Sequence, residues 1–220
     1  MTGPDPTIEI PAGDGRLEGS LGLVEAPVGV VVFAHGTGSG RNSPRNQAVA
    51  RALRGRGLAT LLLDLLTPEE ELDRTNVFDV PLLAVRLLEA TSELGRLQET
   101  AGLPVAYFGA STGAAAALVA AAERPETAAV VSRGGRPDLA ADRLAEVRAP
   151  TLLIVGGADP VVLEMNREAA ALMSSERDLV VIPGAGHLFE EPRALEEVAR
   201  LAGDWFTRHM EASTAGGERS

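Results

Sequence analysis

The sequence predicts an α/β fold, a mostly parallel sheet of eight strands with helices on both faces, in a single domain over residues 1–210. Three observations carry that prediction. Short apolar, β-branched runs alternate with helical stretches, the pattern of strands joined by crossover helices. The 220 residues suffice for one such domain with a substantial core. No internal repeat or composition break marks a second domain.

The strands come in order. "TIEIP" and "LEGSLGLVE", separated by the turn signal "AGDG", read as an antiparallel hairpin. "GVVVFAHG" (29–36) and "ATLLLDLL" (59–66) read as buried strands. "PVAYFG" (104–109), "AAVVS" (128–132), "TLLIVGG" (151–157) and "DLVVIPG" (178–184) complete the eight.

Helices fill the gaps. "PRNQAVARALRGRG" opens with Pro44, which suits a first turn where no N–H needs a partner. "FDVPLLAVRLLEATSELGRLQETAG" puts Leu82, Val85 or Arg86, and Leu87 with Leu88 at helical spacing, with Pro81 tolerable near its start. Residues 112–123 are nearly all Ala and Gly, so that helix can lie close against the sheet. A last helix from Pro192 to about His209 places Leu195, Val198, Leu201 or Ala202, and Trp205 on one face. The tail "EASTAGGERS" (211–220) is expected to be disordered. Only residues 133–150 separate the sixth and seventh strands, so any cap is minimal or absent and the pocket shallow.

Composition narrows the function. The net charge of −11 argues against nucleic acid, whose phosphates attract basic faces. There is no cysteine, hence no thiol nucleophile and no thiolate metal site. All 20 residues counted as Lys or Arg are Arg, which removes Schiff-base chemistry and a phosphate-loop lysine. The three histidines, 35, 187 and 209, are too scattered to suggest a metal cluster. No signal-like or membrane-length apolar run occurs, so the expectation is a cytoplasmic protein with no membrane partner. The oligomeric state is left open.

One stretch raises a chemical question. In "YFGASTGAAAALV" (107–119) a Gly-x-Ser-x-Gly run lies between a strand and an alanine-rich helix. That is the context of a nucleophile elbow, with Gly109 and Gly113 allowing the close backbone approach and Ser111 lifted above the sheet. Its oxygen needs a base: His187, in the loop "PGAGHLF" after the last strand. The base needs an orienting acid: Asp159, in "GGADP" after the seventh strand, with Asp138 an alternative and Asp64 read as structural. An oxyanion hole would use the backbone N–H groups of Thr37, in "AHGTGSG", and Thr112. All four parts follow carboxyl ends of strands, where open α/β sheets bind ligands. His35 is read as a brace for the oxyanion loop, and His209 as solvated.

With "HGTGSG", "GASTG", "GGADP" and "GAGHLF" in the order Ser, Asp, His, the chain resembles an α/β-hydrolase of the dienelactone-hydrolase-like group over roughly residues 8–210. It is also similar to hydrolases with an HGSGS…SPRN pattern that occur alone or fused to phosphoribosyltransferase domains. Dienelactone hydrolases proper carry cysteine in the elbow; Ser111 here moves the implied activity toward serine esterases. The expected reaction is cleavage of a small-molecule ester or lactone through an acyl-enzyme, with neither cofactor nor metal. Acyl transfer, perhydrolysis, or a silent binding module are the alternatives. Arg41, Arg45, Arg133 and Arg136 follow strands at the same edge. They are read either as a clamp for a substrate anion or as ion-pair partners of the acidic run "PEEELD" (68–73).

Overall fold

A computed structural model describes residues 5–13 and 15–217, the side chains of 214–217 excepted. Asp14 of the expected "AGDG" turn and residues 218–220 of the expected tail lie outside the described residues.

The elements are β1 (Thr7–Ala12), β2 (Gly15–Gly22), β3 (Val30–Ala34), α1 (Pro44–Arg54), β4 (Ala59–Leu63), α2 (Val80–Leu94), β5 (Val105–Ala110), α3 (Thr112–Glu123), β6 (Val130–Arg133), β7 (Thr151–Gly156), α4 (Pro160–Leu172), β8 (Arg177–Ile182) and α5 (Ala194–Gly217). The sheet order is β1-β2-β4-β3-β5-β6-β7-β8. β2 pairs antiparallel with β1 and β4; β4 through β8 are parallel. The five central strands are buried along their whole length, which explains their unbroken apolar sequences. The outer strand β8 instead begins with exposed Arg177 and Asp178, charges that discourage edge-to-edge pairing. Among the described residues no helix is long and apolar enough to cross a membrane.

Two apolar clusters fill the two faces. One packs α2 and α3 on the sheet; the other packs α1 and α5 on the opposite face around Phe33, Phe108 and Phe206. Ten consecutive residues of α3, Thr112 to Ala121, are buried. Only a helix of Ala and Gly can sit that close, as the sequence predicts.

Several local readings need correction. On α2, Arg86 and Leu87 of the expected face are buried and Val85 points outward; Val80, Leu83, Ala84, Ala90, Thr91 and Leu94 complete the buried side. Helix α4 lies outside the elements expected from the sequence, although Asp159 caps it and Pro160 opens it. Helix α5 runs on to Gly217, through part of the stretch expected to be disordered. His209 is buried rather than solvated, because its ring packs on Trp205 with centroids 4.6 Å apart. The β6–β7 connection holds only two 3-10 turns, Pro137–Ala140 and Leu144–Glu146, so no cap stands there.

Among the described glycines, the closest approach of other backbone is at Gly113. A Cβ there would overlap the backbone carbonyls of Ala34 and His35 at the end of β3. Gly113→Ala should therefore cost about 2–3 kcal/mol by overpacking against rigid backbone, a fall in Tm of roughly 4–10 °C. Gly95→Ala, at a helical φ of −66° and with a new Cβ only 3.4 Å from its nearest neighbour, should leave Tm unchanged or slightly raised. Thermal unfolding of both variants by circular dichroism checks the contrast.

Candidate active site

Ser111 occupies the one-residue turn between β5 and α3, with φ 51° and ψ −125°. A non-glycine residue there is strained and persists only where its surroundings fix it. The fixing groups are visible. The Ser111 N–H donates to the Arg133 carbonyl at 3.4 Å, and its own carbonyl accepts from Ala114 and Arg136, each at 3.1 Å. Gly109 has no room for a Cβ because Ala114 lies against it, and a Cβ at Gly36 would come within 2.9 Å of the Ser111 Cβ. Each glycine of the motif is thus required by a specific neighbour.

Asp159 and His187 meet directly. The His187 Nδ1 lies 2.9 Å from Asp159 Oδ2. A carboxylate only accepts, so Nδ1 carries the proton and Nε2 the lone pair. Asp159 is itself held in place, because its Oδ1 accepts the Val162 N–H at 3.3 Å and caps α4. The Ala158 N–H joins the loops bearing these two residues by donating to the Ala185 carbonyl at 2.9 Å, and within the histidine loop the Gly186 N–H donates to Glu191 Oε1 at 2.9 Å. Buried Phe189 anchors the histidine loop in the core.

The alternative acid is occupied elsewhere. Both Asp138 oxygens accept from the Arg136 guanidinium, each at 2.8 Å. Asp64 is structural, as expected: it accepts the Arg41 N–H at 2.8 Å and pairs with that residue's guanidinium.

The loop after β3 approaches Ser111 from the other side. His35 braces it: Nδ1 faces the Gly36 carbonyl at 3.0 Å, and Nε2 accepts the Leu65 N–H at 3.1 Å. Burial pushes the His35 pKa down and favours this neutral form. The Thr37 N–H donates to the Thr112 hydroxyl at 3.2 Å, and the two hydroxyls are 3.1 Å apart. Thr112 opens α3, in the turn whose N–H groups have no partner within the helix. A cleft of about 260 Å³ lies here, lined by Thr37, Leu65, Val77, Leu83 and Thr112. Part of its wall is the segment between β4 and α2, which the sequence marks by its acidic run 68–73 and not as a pocket wall. Two 3-10 turns, Glu70–Leu72 and Asn76–Phe78, shape that segment.

The four arginines do not form one cluster, and none of them pairs with the acidic run. Arg41 pairs with Asp64 and Glu18, Arg136 with Asp138, and Arg45 with Glu190 at 3.1 Å. Glu70 of the acidic run pairs instead with buried Arg86. Arg133 has no carboxylate partner among the described residues.

The chain matches the model of the dienelactone hydrolase family over residues 24–212. It is 54% identical to a dienelactone hydrolase from Anabaena variabilis, covering 93% of this chain and 97% of that one, with a TM-score of 0.91. Est1E from Butyrivibrio proteoclasticus shares the fold at 16% identity and a TM-score of 0.78, over 93% of this chain and 99% of that one. A Mycobacterium tuberculosis H37Rv protein, Rv0571c, provisionally named a phosphoribosyl transferase, is 59% identical over 94% of this chain. The match takes in 47% of that relative, so the chain spans about half its length. The strand order, the elbow and the matched family model agree: this chain belongs to the dienelactone hydrolase family of α/β hydrolases.

Proposed function

We propose that the protein is a serine hydrolase that cleaves a small ester or lactone through an acyl-enzyme, with Ser111 as nucleophile, His187 as base and Asp159 as its orienting acid. The observation that carries this reading is the 2.9 Å His187–Asp159 contact at the sheet edge where Ser111 sits on its strained turn. The carboxylate fixes the tautomer that leaves Nε2 able to take the serine proton. As Oγ bonds to the carbonyl carbon, the π electrons move to the carbonyl oxygen. The N–H groups of Thr37 and Thr112 receive that oxyanion. The Thr112 hydroxyl, a neutral acceptor, yields the Thr37 N–H to a charged one, because charge-assisted hydrogen bonds are the stronger. Collapse of the intermediate expels the alcohol, which takes the proton from His187. Water then repeats the sequence on the acyl-enzyme and releases the acid.

Hydrolysis is favoured over acyl transfer because the His187 side chain is 39% exposed, so water reaches it freely. The phosphoribosyl transferase name belongs to relatives about twice as long, and we attribute to this chain the hydrolase chemistry of the shared half. Neither cofactor nor metal takes part in this route.

A fluorophosphonate probe should label the wild type and not Ser111→Ala, and the mutant should lose about 10³-fold or more in p-nitrophenyl acetate turnover. Labelling of the mutant would reassign the nucleophile; a wild type without labelling or turnover would point to a silent binding module.

The acid is tested by two amides. Asp159→Asn should cut kcat by about 10⁴-fold, since an amide favours the wrong histidine tautomer. Asparagine is as good a helix cap, so Tm should hardly move. Asp138→Asn, which only loosens Arg136, should cost less than about tenfold. The reverse ranking would move the acid to the β6–β7 connection.

Chain length is the third test. The 260 Å³ cleft is below the usual range for ligand pockets and has no cap from the β6–β7 connection. Methylenes beyond it stay wet and return little of the ~0.8 kcal/mol each gains on full burial. The kcat/KM of p-nitrophenyl esters should fall beyond butyrate; a rise toward laurate would show an acyl tunnel.

A further inference from the structure

Residues 133–136, Arg-Gly-Gly-Arg, lead out of β6 and meet all three segments that carry the residues assigned above. Toward the elbow, the Arg133 carbonyl accepts the Ser111 N–H at 3.4 Å, and the Arg136 N–H donates to the Ser111 carbonyl at 3.1 Å. Toward the histidine loop, a Cβ at Gly134 would lie 3.2 Å from the His187 carbonyl and 3.3 Å from the Phe189 ring. Toward the acid, the Gly135 carbonyl accepts from Asn166 Nδ2 at 3.0 Å. Asn166 stands on α4, the helix that Asp159 caps. Its Nδ2 also donates to the Val162 carbonyl at 2.8 Å, and the Val162 N–H is the group that Asp159 Oδ1 accepts. One series of contacts thus leads from His187 through Asp159, Val162 and Asn166 to the loop that grips Ser111.

That loop needs a hold from outside. Two adjacent glycines have wide backbone freedom and no side chains with which to anchor themselves. Gly134 takes a φ of 51°, and Gly135 rests so closely on Ser132 and Ala114 that a Cβ has no room. Asn166 provides the hold, and it does so against its own burial. It is 0% exposed, and its Oδ1 is buried without a partner. A half-satisfied amide destabilises a core, and leucine, of similar volume, is also the better helix former. Packing of α4 on its neighbours therefore gives no reason for an amide here. Fixing a glycine carbonyl one residue from the group that holds the elbow does.

We propose that Asn166 is a positioning residue for the reaction: it pins the 133–136 loop to α4, and so keeps Ser111, His187 and the Asp159-capped helix in one arrangement without touching the substrate. This rests on the hydrolase reading above and adds a residue to it. Attack by Ser111 tolerates little misplacement, so freeing the loop slows the chemical step more than it weakens ester binding.

The test removes the amide. Asn166→Leu takes away the donor and nearly keeps the volume; Asn166→Ala takes it away with no added bulk, should leucine prevent folding. A folded variant of either kind should lose about 10- to 100-fold in kcat for p-nitrophenyl acetate, with KM within about twofold of the wild type. Met173→Ala is the control. It empties a buried position at the far end of α4, should lower Tm at least as much, and should keep kcat within about twofold. Amide hydrogen exchange gives a readout that needs no turnover. Measured against the Phe108 N–H of β5, the Ser111 and Arg136 N–H groups should exchange at least about tenfold faster in the Asn166 variants and not in Met173→Ala. If the wild type hydrolyses nothing while that loosening is seen, the hydrolase reading fails and the hold on the elbow stands. An Asn166 variant with wild-type kcat overturns the proposal. So does one whose loss of kcat is matched by Met173→Ala, or whose loss lies in KM instead.

Discussion

Everything at the sheet edge that carries Ser111 depends on one close approach of backbones. The loop after β3 and the start of α3 are pressed together until the Ala34 and His35 carbonyls leave no space for a side chain at residue 113. Three consequences follow. Residue 113 must be glycine. Residue 111 must take a positive φ so that the chain can leave β5 and enter the helix within one residue. Thr37 and Thr112 are brought within hydrogen-bond distance, although 75 residues separate them. The strain at Ser111 is held by alanine packing below and by hydrogen bonds to Arg133 and Arg136 beside it.

The second pillar is a carboxylate with two tasks. Asp159 caps α4 through one oxygen and orients His187 through the other. A cap fixes a side chain against its own backbone, so the acid is positioned by local structure before the histidine loop arrives. The imidazole then has a fixed target. Glycines 184 and 186 let the loop turn, while Phe189 in the core and Glu191 on the Gly186 N–H limit where it can go. The Asp159 side chain and the histidine loop are each set by a hydrogen bond within five residues, and the contact between them then spans 28.

That locality explains what could be read from the sequence. The eight strands, the elbow, the Ala-rich helix and the identity of the hydrogen-bonded Asp–His pair leave short-range marks: apolar runs, paired glycines, a residue just past a strand end. Helix α4 left such a mark too, in the Asp-Pro start, but its capping role was hidden because Asp159 was read only as an acid. The arginine partners left none. Arg45 and Glu190 are 145 positions apart and Arg41 and Asp64 are 23 apart, so their pairing depends on topology rather than on spacing. His209 differs from its expected exposure for a related reason: it lies near the end of the sequence, yet the turn of α5 that carries it is stacked through Trp205 against the body of the domain.

The same distinction separates structural charge from unused charge. Arg86 is as buried as Arg133 and its Nε lacks a partner, yet its charge is met by Glu70 and Glu89, and through Glu70 it fastens the segment that walls the cleft. Thr67 and Asn76 reinforce that attachment by bonding to Glu70. A hydroxyl series then links this wall to the elbow, from Thr112 through Thr37 to the Val77 carbonyl at 3.5 Å. The charges in that network are paired inside the protein, Arg86 with Glu70 and Glu89, so its arrangement can be complete before any ligand arrives. Arg133 lacks such a partner, one residue along the sheet from Ser111. A fold that neutralises Arg86 with two carboxylates can pair buried guanidinium groups. At Arg133 the Phe108 ring, 5.9 Å from the guanidinium carbon, stands where a carboxylate does at Arg86, so the two buried arginines differ in counter-charge and not in burial.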